Sequence, residues 1–253
     1  MKRCGTTVAR TRIVLVMCLC LAYLSVPPAL AHDASDTSPT AVTTAEDRFA
    51  PFGQNDDPYN GYRVYLSSPR HRESGAKGEC RNPGHEENVN GREWNWLAAN
   101  GNYIGDVHTT TSHGRNLHAR GYGVIVSPNS RDNGYLQNLY ASRNWGSDIH
   151  IVTHTNGTGG CPSSTSYLLT MWNSATDHAL AAELGRVLDP GIPGGLRGWA
   201  ADFAELSTNA RRGDAYVELQ FHDNPYANAW LYRESIHHAW RYGYAVDQYL
   251  GYP

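Results

Sequence analysis

Short apolar runs alternate along the chain with longer stretches whose apolar residues recur at helical spacing. Compact apolar runs suit buried strands, and recurrence at three and four residues suits one helix face. On this basis strands are expected at 62–66, 122–126, 149–153, 167–171 and 215–219. Helices are expected at 89–99, 135–145 and 177–188, with one long helix over 227–250. Within 135–145, Leu136, Leu139 and Tyr140 fall on one face. Within 177–188, Leu180, Leu184 and Leu188 line up, and Pro190 stands where a proline stops a helix. In 227–250, Leu231, Ile236, Ala239 and Trp240 form the expected buried side. Strands and helices alternating in this way predict an α/β three-layer sandwich with a mostly parallel central sheet flanked by helices. No internal repeat is present, which excludes solenoids and propellers.

The N-terminus breaks this pattern. Lys2, Arg3, Arg10 and Arg12 precede an apolar run at 13–23, and Ala29-Leu30-Ala31 follows. That is the order of a secretory signal peptide, expected over 1–31 and removed on export. Residues 32–58 are rich in Ser, Thr, Asp and Ala and read as a flexible leader, leaving one domain at 59–253. No other long apolar segment exists, so no membrane contact is expected after cleavage. The signal segment holds four of the 21 basic residues and no acidic one, so the remainder has 17 against 24. An acidic mature chain argues against a nucleic-acid partner. Cys80 and Cys161 are the two cysteines beyond the signal, and an exported pair invites a disulfide.

In largely parallel sheets, sites form where loops leave the strand ends. Four segments put a metal-competent or acid/base residue at such an end. One strand runs through Ser67-Ser68-Pro69-Arg70 into His71, and Glu86-Glu87 opens a helix. Another strand ends in Thr153-His154-Thr155-Asn156, and a third carries Val217-Glu218 before His222-Asp223-Asn224. Catalytic zinc takes three ligands from histidine and carboxylate and keeps one open position. A further carboxylate beside it can take and return a proton. His71, Glu86, His154 and Glu218 suit these roles, with Glu87 a rival for Glu86. Strand alternation puts His150 on the same face as His154, as a supporting or core group. The pair His237-His238 is expected mid-helix and structural. No compact metal signature such as H-E-x-x-H is present.

The ordered segments resemble the zinc-dependent N-acetylmuramoyl-L-alanine amidases of the amidase-3 group. That family has a strand ending in Pro-Gly-His, to which Leu66-Ser67-Ser68-Pro69-Arg70-His71 is similar. Its Glu-Lys-Asp-Val-Asn helix opening is similar to Glu86-Glu87-Asn88-Val89-Asn90, which selects Glu86 over Glu87. Its Arg and Asn before an Ala-Asp, followed by a strand ending Ser-Ile-His-Ala-Asn, are similar to Arg143-Asn144, Ser147-Asp148 and Thr153-His154-Thr155-Asn156 in that order. Its Val-Glu-x-Gly-Phe-x-x-Asn is similar to 217–224, which puts the catalytic glutamate on Glu218. The resemblance implies zinc held by His71, Glu86 and His154, with Glu218 as acid/base. It implies hydrolysis of the amide between N-acetylmuramic acid and L-alanine in peptidoglycan; with the signal segment, a secreted, wall-associated enzyme is expected, acting as a monomer. Arg70, Asn156 and Asn224 are the expected substrate contacts. Arg70 replaces a glycine of the family, as does Gln220. A Cys80–Cys161 bridge would tie together the loops carrying three zinc ligands. Two other classes stay open: a zinc amidohydrolase or peptidase for another secreted peptide, and a non-catalytic wall-binding module.

Overall fold

A computed structural model describes residues 58–69, 87–101, 115–128, 134–158, 162–207 and 210–252. Strands β1 (Arg63–Ser67), β2 (Gly123–Val126), β3 (Ile149–Asn156), β4 (Leu168–Trp172), β5 (Leu196–Ala200) and β6 (Gly213–Phe221) form one sheet in the order β2-β1-β3-β6-β4-β5. The first four in that order run parallel, β4 is antiparallel to β6, and β5 is parallel to β4. The expected α/β class and mostly parallel sheet are therefore present.

Alternation along each strand separates two faces. On the first, Val64, Leu66, Ile149, Ile151, Leu168, Ala215 and Val217 are buried under four helices. These are α1 (Glu87–Asn100), α3 (Ala175–Leu188), α4 (Pro225–His238) and α5 (Arg241–Leu250). Leu180, Leu184 and Leu188 of α3 are fully buried there, as their spacing predicts. Each such leucine contributes about 1.5–3 kcal/mol relative to exposure. Ser174 caps α3 by accepting from the Asp177 backbone N–H at 3.1 Å. On the second face, Tyr65 and His150 face α2 (Tyr135–Trp145) and a 3-10 turn at Ala204–Ser207.

The structure corrects the reading in four places. In α2 the buried side is Tyr135, Asn138, Leu139 and Ser142, and Tyr140 is 41 % exposed. Two of the inward residues are polar but partnered: Ser127 donates to Asn138, and the Ser142 and Ser147 hydroxyls meet at 2.6 Å. Partnered polar groups are tolerated inside, which an apolar count misses. Secondly, the stretch 227–250 is two helices broken at Ala239 and Trp240. The Trp240 indole N–H donates to the His237 carbonyl at 2.8 Å, and Tyr242 N–H turns back to Ala239 at 3.1 Å. The break lets α4 pack on β6 and α5 pack on α3. Gly243 of α5 lies so close to Arg120 that a Cβ would meet its Cδ and Nε. Thirdly, His237 and His238 consequently close the last turn of α4. His238 stacks on Trp230 with centroids 5.4 Å apart, and burial, then Arg241, lowers its pKa to about 4. Finally, β5 was not expected. It is a mostly exposed edge strand, Leu-Arg-Gly-Trp-Ala, with no apolar run to announce it.

Candidate functional site

The site grows from the pairing of β3 with β6. His154 on β3 stands in register with Glu218 on β6, so both side chains leave the second face of the sheet. Both lie toward the C-terminal ends of parallel strands, where α/β folds build their sites. Register shifts between His154 and Asn156, an irregularity of the kind that re-aims side chains beside sites. Val152, Leu169, Met171, Leu206 and Tyr216 form the apolar floor on this face. His154 is fully buried and Glu218 half-buried.

Tyr216, two residues before Glu218 and on the same face, reaches back to His154. Its hydroxyl lies 2.7 Å from His154 Nδ1, with the rings edge-to-face at 5.1 Å. A neutral imidazole has one protonated and one lone-pair nitrogen. In the tautomer whose Nδ1–H donates to the phenolic oxygen, the lone pair stands on Nε2; in the other the phenol donates to Nδ1. The first tautomer is the one in which Nε2 can bind a metal, and outer hydrogen-bond partners of this kind can set it. Of the three expected ligands His154 alone lies among the described residues, and an imidazole in that tautomer suits zinc.

Four expected members of the site, Arg70, His71, Glu86 and Cys80, lie outside the described residues, as does Cys161. Among the described residues no group of three or more His, Cys, Asp or Glu gathers as a metal site. What surrounds His154 is well defined from the helical side. An added Cβ at Gly91 of α1 would meet the Thr153 carbonyl and the Ser68 hydroxyl, so only glycine lets α1 approach. Asn95 of α1 donates to the Ser67 carbonyl at 3.0 Å and accepts from the Thr153 hydroxyl at 2.7 Å. Gly91 and Asn95 thus fasten α1 to the C-terminal ends of β1 and β3.

The two asparagines serve the loops around the site. Asn156 Oδ1 accepts from the Gly157 N–H at 2.7 Å. Asn224 caps α4, accepting from the N–H groups of Tyr226 and Ala227 at 2.9 and 3.2 Å, and its amide donates to the Thr165 carbonyl at 2.8 Å. Pro225 follows at the first helical position, where its missing N–H is harmless. Asp223 accepts from both the N–H and the hydroxyl of Thr158, at 2.6 and 2.7 Å, joining the loops after β3 and β6. Gln220 is buried and accepts from Ser166 at 2.9 Å and donates to the Pro193 carbonyl at 2.5 Å.

His150 shares the face with His154, as alternation predicts. Its Nε2 lies 2.7 Å from the Ser67 hydroxyl, and its ring meets Tyr65 edge-on at 5.2 Å. Burial drives its pKa down to about 3, against the opposing pull of Glu205. Sequence reading missed Tyr216, Tyr167 and Arg197. Tyr167 lies just before β4 and packs edge-on against Phe221 at 4.6 Å, while Arg197 on β5 places its guanidinium 4.0 Å from the Tyr167 ring centroid. Burial raises the Tyr167 pKa; Arg197 opposes this and the nearby Glu218 adds to it.

No family model matches the chain, and no curated protein is similar to it in sequence. Solved structures do share its fold. The catalytic domain of an N-acetylmuramoyl-L-alanine amidase from Bacillus (Paenibacillus) polymyxa var. colistinus superposes with a TM-score of 0.56 at 15% identity, over 76% of this chain and 99% of that one. An N-acetylmuramoyl-L-alanine amidase of Nostoc punctiforme gives 0.58 at 16%, over 76% and 99%. The N-acetylmuramyl-L-alanine amidase of Mycobacterium smegmatis gives 0.55 at 16%, over 77% and 99%. At these identities the likeness establishes a common fold.

Proposed function

We propose that this chain is a zinc-dependent peptidoglycan amidase, exported and acting at the cell wall on the amide between N-acetylmuramic acid and L-alanine. The observation that carries the reading is the His154–Glu218 register pair, on a fold shared with amidase catalytic domains. His154 through Nε2, with His71 and Glu86, would hold the metal. When bound, zinc supplies Lewis acidity toward the scissile carbonyl and toward water. Tyr216, 2.7 Å from Nδ1, would accept from Nδ1–H and so favour the His154 tautomer with a lone pair on Nε2. Glu218 takes a proton from the attacking water and returns it to the leaving amine. The floor of Val152, Leu169 and Met171 excludes bulk water beneath the pair and strengthens its electrostatics.

Two measurements test this together. Purified protein is assayed for bound zinc, and peptidoglycan is assayed for newly released L-alanine amino termini. Wild type is expected to carry stoichiometric zinc and release them. Glu218→Gln is expected to keep the metal and lose activity by roughly 100- to 10,000-fold, the range for general acid–base catalysis. Absence of release by zinc-loaded wild type overturns the amidase reading. Equal activity in the variant removes Glu218 from the chemistry.

A further inference from the structure

We infer that Arg197, braced on Tyr167, is the subsite for a carboxylate in the amine half of the substrate, so that the enzyme selects acidic over amidated stem peptides. This deepens the hydrolase reading and rests on it. The geometry starts from β4, which lies between the other two strands. Leu169 pairs with Glu218 on one side and with Arg197 on the other. Paired residues share a face, so Glu218, Leu169 and Arg197 form one row across three strands. Two inter-strand steps separate Arg197 from Glu218, about 10 Å between backbones. An extended peptide advances roughly 3.3–3.6 Å per residue. A carboxylate one or two residues beyond the cleaved amide therefore falls within reach of a guanidinium leaning inward from Arg197.

The guanidinium is also held in place. It stacks over Tyr167 at 4.0 Å, within the range of a cation–π contact. Tyr167 is itself fixed edge-on against Phe221 at the end of the strand that carries Glu218. Arg197 is exposed and makes no ion pair among the described residues. Its side chain also hydrogen-bonds Tyr167, and its exposed charge stands in a chain whose acidic residues outnumber its basic ones. A planar fork stacked on an aromatic face is the arrangement that grips a carboxylate through two N–H donors. A carboxamide presents only one acceptor oxygen and no charge, so it is held less well.

The test uses two muramoyl peptides that differ only in the second stem residue, with a free α-carboxylate or its carboxamide. Turnover of both is measured with wild-type protein. Binding of the two matching free stem peptides is measured with Glu218→Gln, alone and combined with Arg197→Gln or Arg197→Lys. The acidic peptide is expected to bind about 10- to 100-fold more tightly, the scale of a hydrogen bond to a charged group. The preference should appear in KM during turnover, disappear with Arg197→Gln, and survive in part with Arg197→Lys, which keeps charge but not the fork. Equal binding of the two peptides, or a preference that persists in Arg197→Gln, overturns the assignment. Hydrolysis of neither peptide with the binding preference intact overturns the amidase reading while the Arg197 subsite stands.

Discussion

The two faces of the sheet are cut from the same strands and do different work. Beneath α1, α3, α4 and α5 the contacts are Val, Leu, Ile and Ala, and the exceptions are closed networks such as Thr153 with Asn95 and Tyr242, bonded at 2.7 and 2.9 Å. On the other face, two residues apart along β3, stand His150, Val152 and His154, opposite Asp214, Tyr216 and Glu218 on β6. Apolar burial supplies the net stability of a domain, whereas buried ionisable groups detract from it unless partnered. The helix-clad face therefore carries the fold, and the polar face holds buried titratable groups whose protonation the fold controls. Buried titratable groups of this kind gather at functional sites.

This contrast can be broken at several points, beyond the loss of activity expected for Glu218→Gln. The largest structural effect belongs to the helix-clad face. Leu184→Ala removes a fully buried side chain and is expected to lower unfolding free energy by about 2–5 kcal/mol. Denaturant titration measures it, and kcat should stay near the wild-type value in protein that remains folded. A strong drop in kcat with unchanged stability would dissolve the division of labour.

The next effect is a pH dependence of stability on the polar face. His150 is held neutral, with its pKa lowered by burial to about 3 from 6.5. Between those values the unfolded chain binds a proton that the folded chain refuses. Stability is then complete above about pH 6.5, declines as pH falls, and levels off near pH 3, a loss on the order of a few kcal/mol. Urea midpoints of the metal-free protein across this window should fall less steeply for His150→Phe than for wild type, with Glu205 the acidic group facing the ring. Parallel curves for the two proteins would assign the acid sensitivity elsewhere.

The subtlest change tests orientation. Tyr216→Phe keeps the ring packing against His154 and Phe203 but removes the hydroxyl at Nδ1. Zinc affinity, read by competition with a chelator, is expected to weaken by about 10- to 100-fold, the usual effect of losing an outer partner of a ligand. The metal-free protein should lose about 1–3 kcal/mol of stability, because the buried His154 loses a hydrogen bond. Unaltered zinc affinity would reduce Tyr216 to a packing residue.

Much of this molecule is legible without coordinates. The run at 149–153 is the core of β3, the expected helix at 135–145 matches α2, and Leu180, Leu184 and Leu188 are buried. These depend on local periodicity, which a side chain's hydropathy reports directly. The failures share a physical cause. The exposed edge strand β5 has no buried face to pattern it, and the Ala239–Trp240 break follows from two packing directions that no single stretch encodes. Tyr140 shares a predicted apolar face with Leu139 yet is exposed, because the polar Asn138 and Ser142 find partners inside.

The candidate site divides in the same way. Sequence by itself determined the chemistry on offer: His154 at the end of an apolar strand, Glu218 inside another, and their parity along each chain. Tertiary structure alone decided that those strands are neighbours in register, that Tyr216 meets a histidine 62 residues away, and that Arg197 joins the row through β4. Alternation is a property of one backbone and survives in any fold. Strand adjacency is won against the entropy of closing long loops, and it is settled by the whole set of buried contacts.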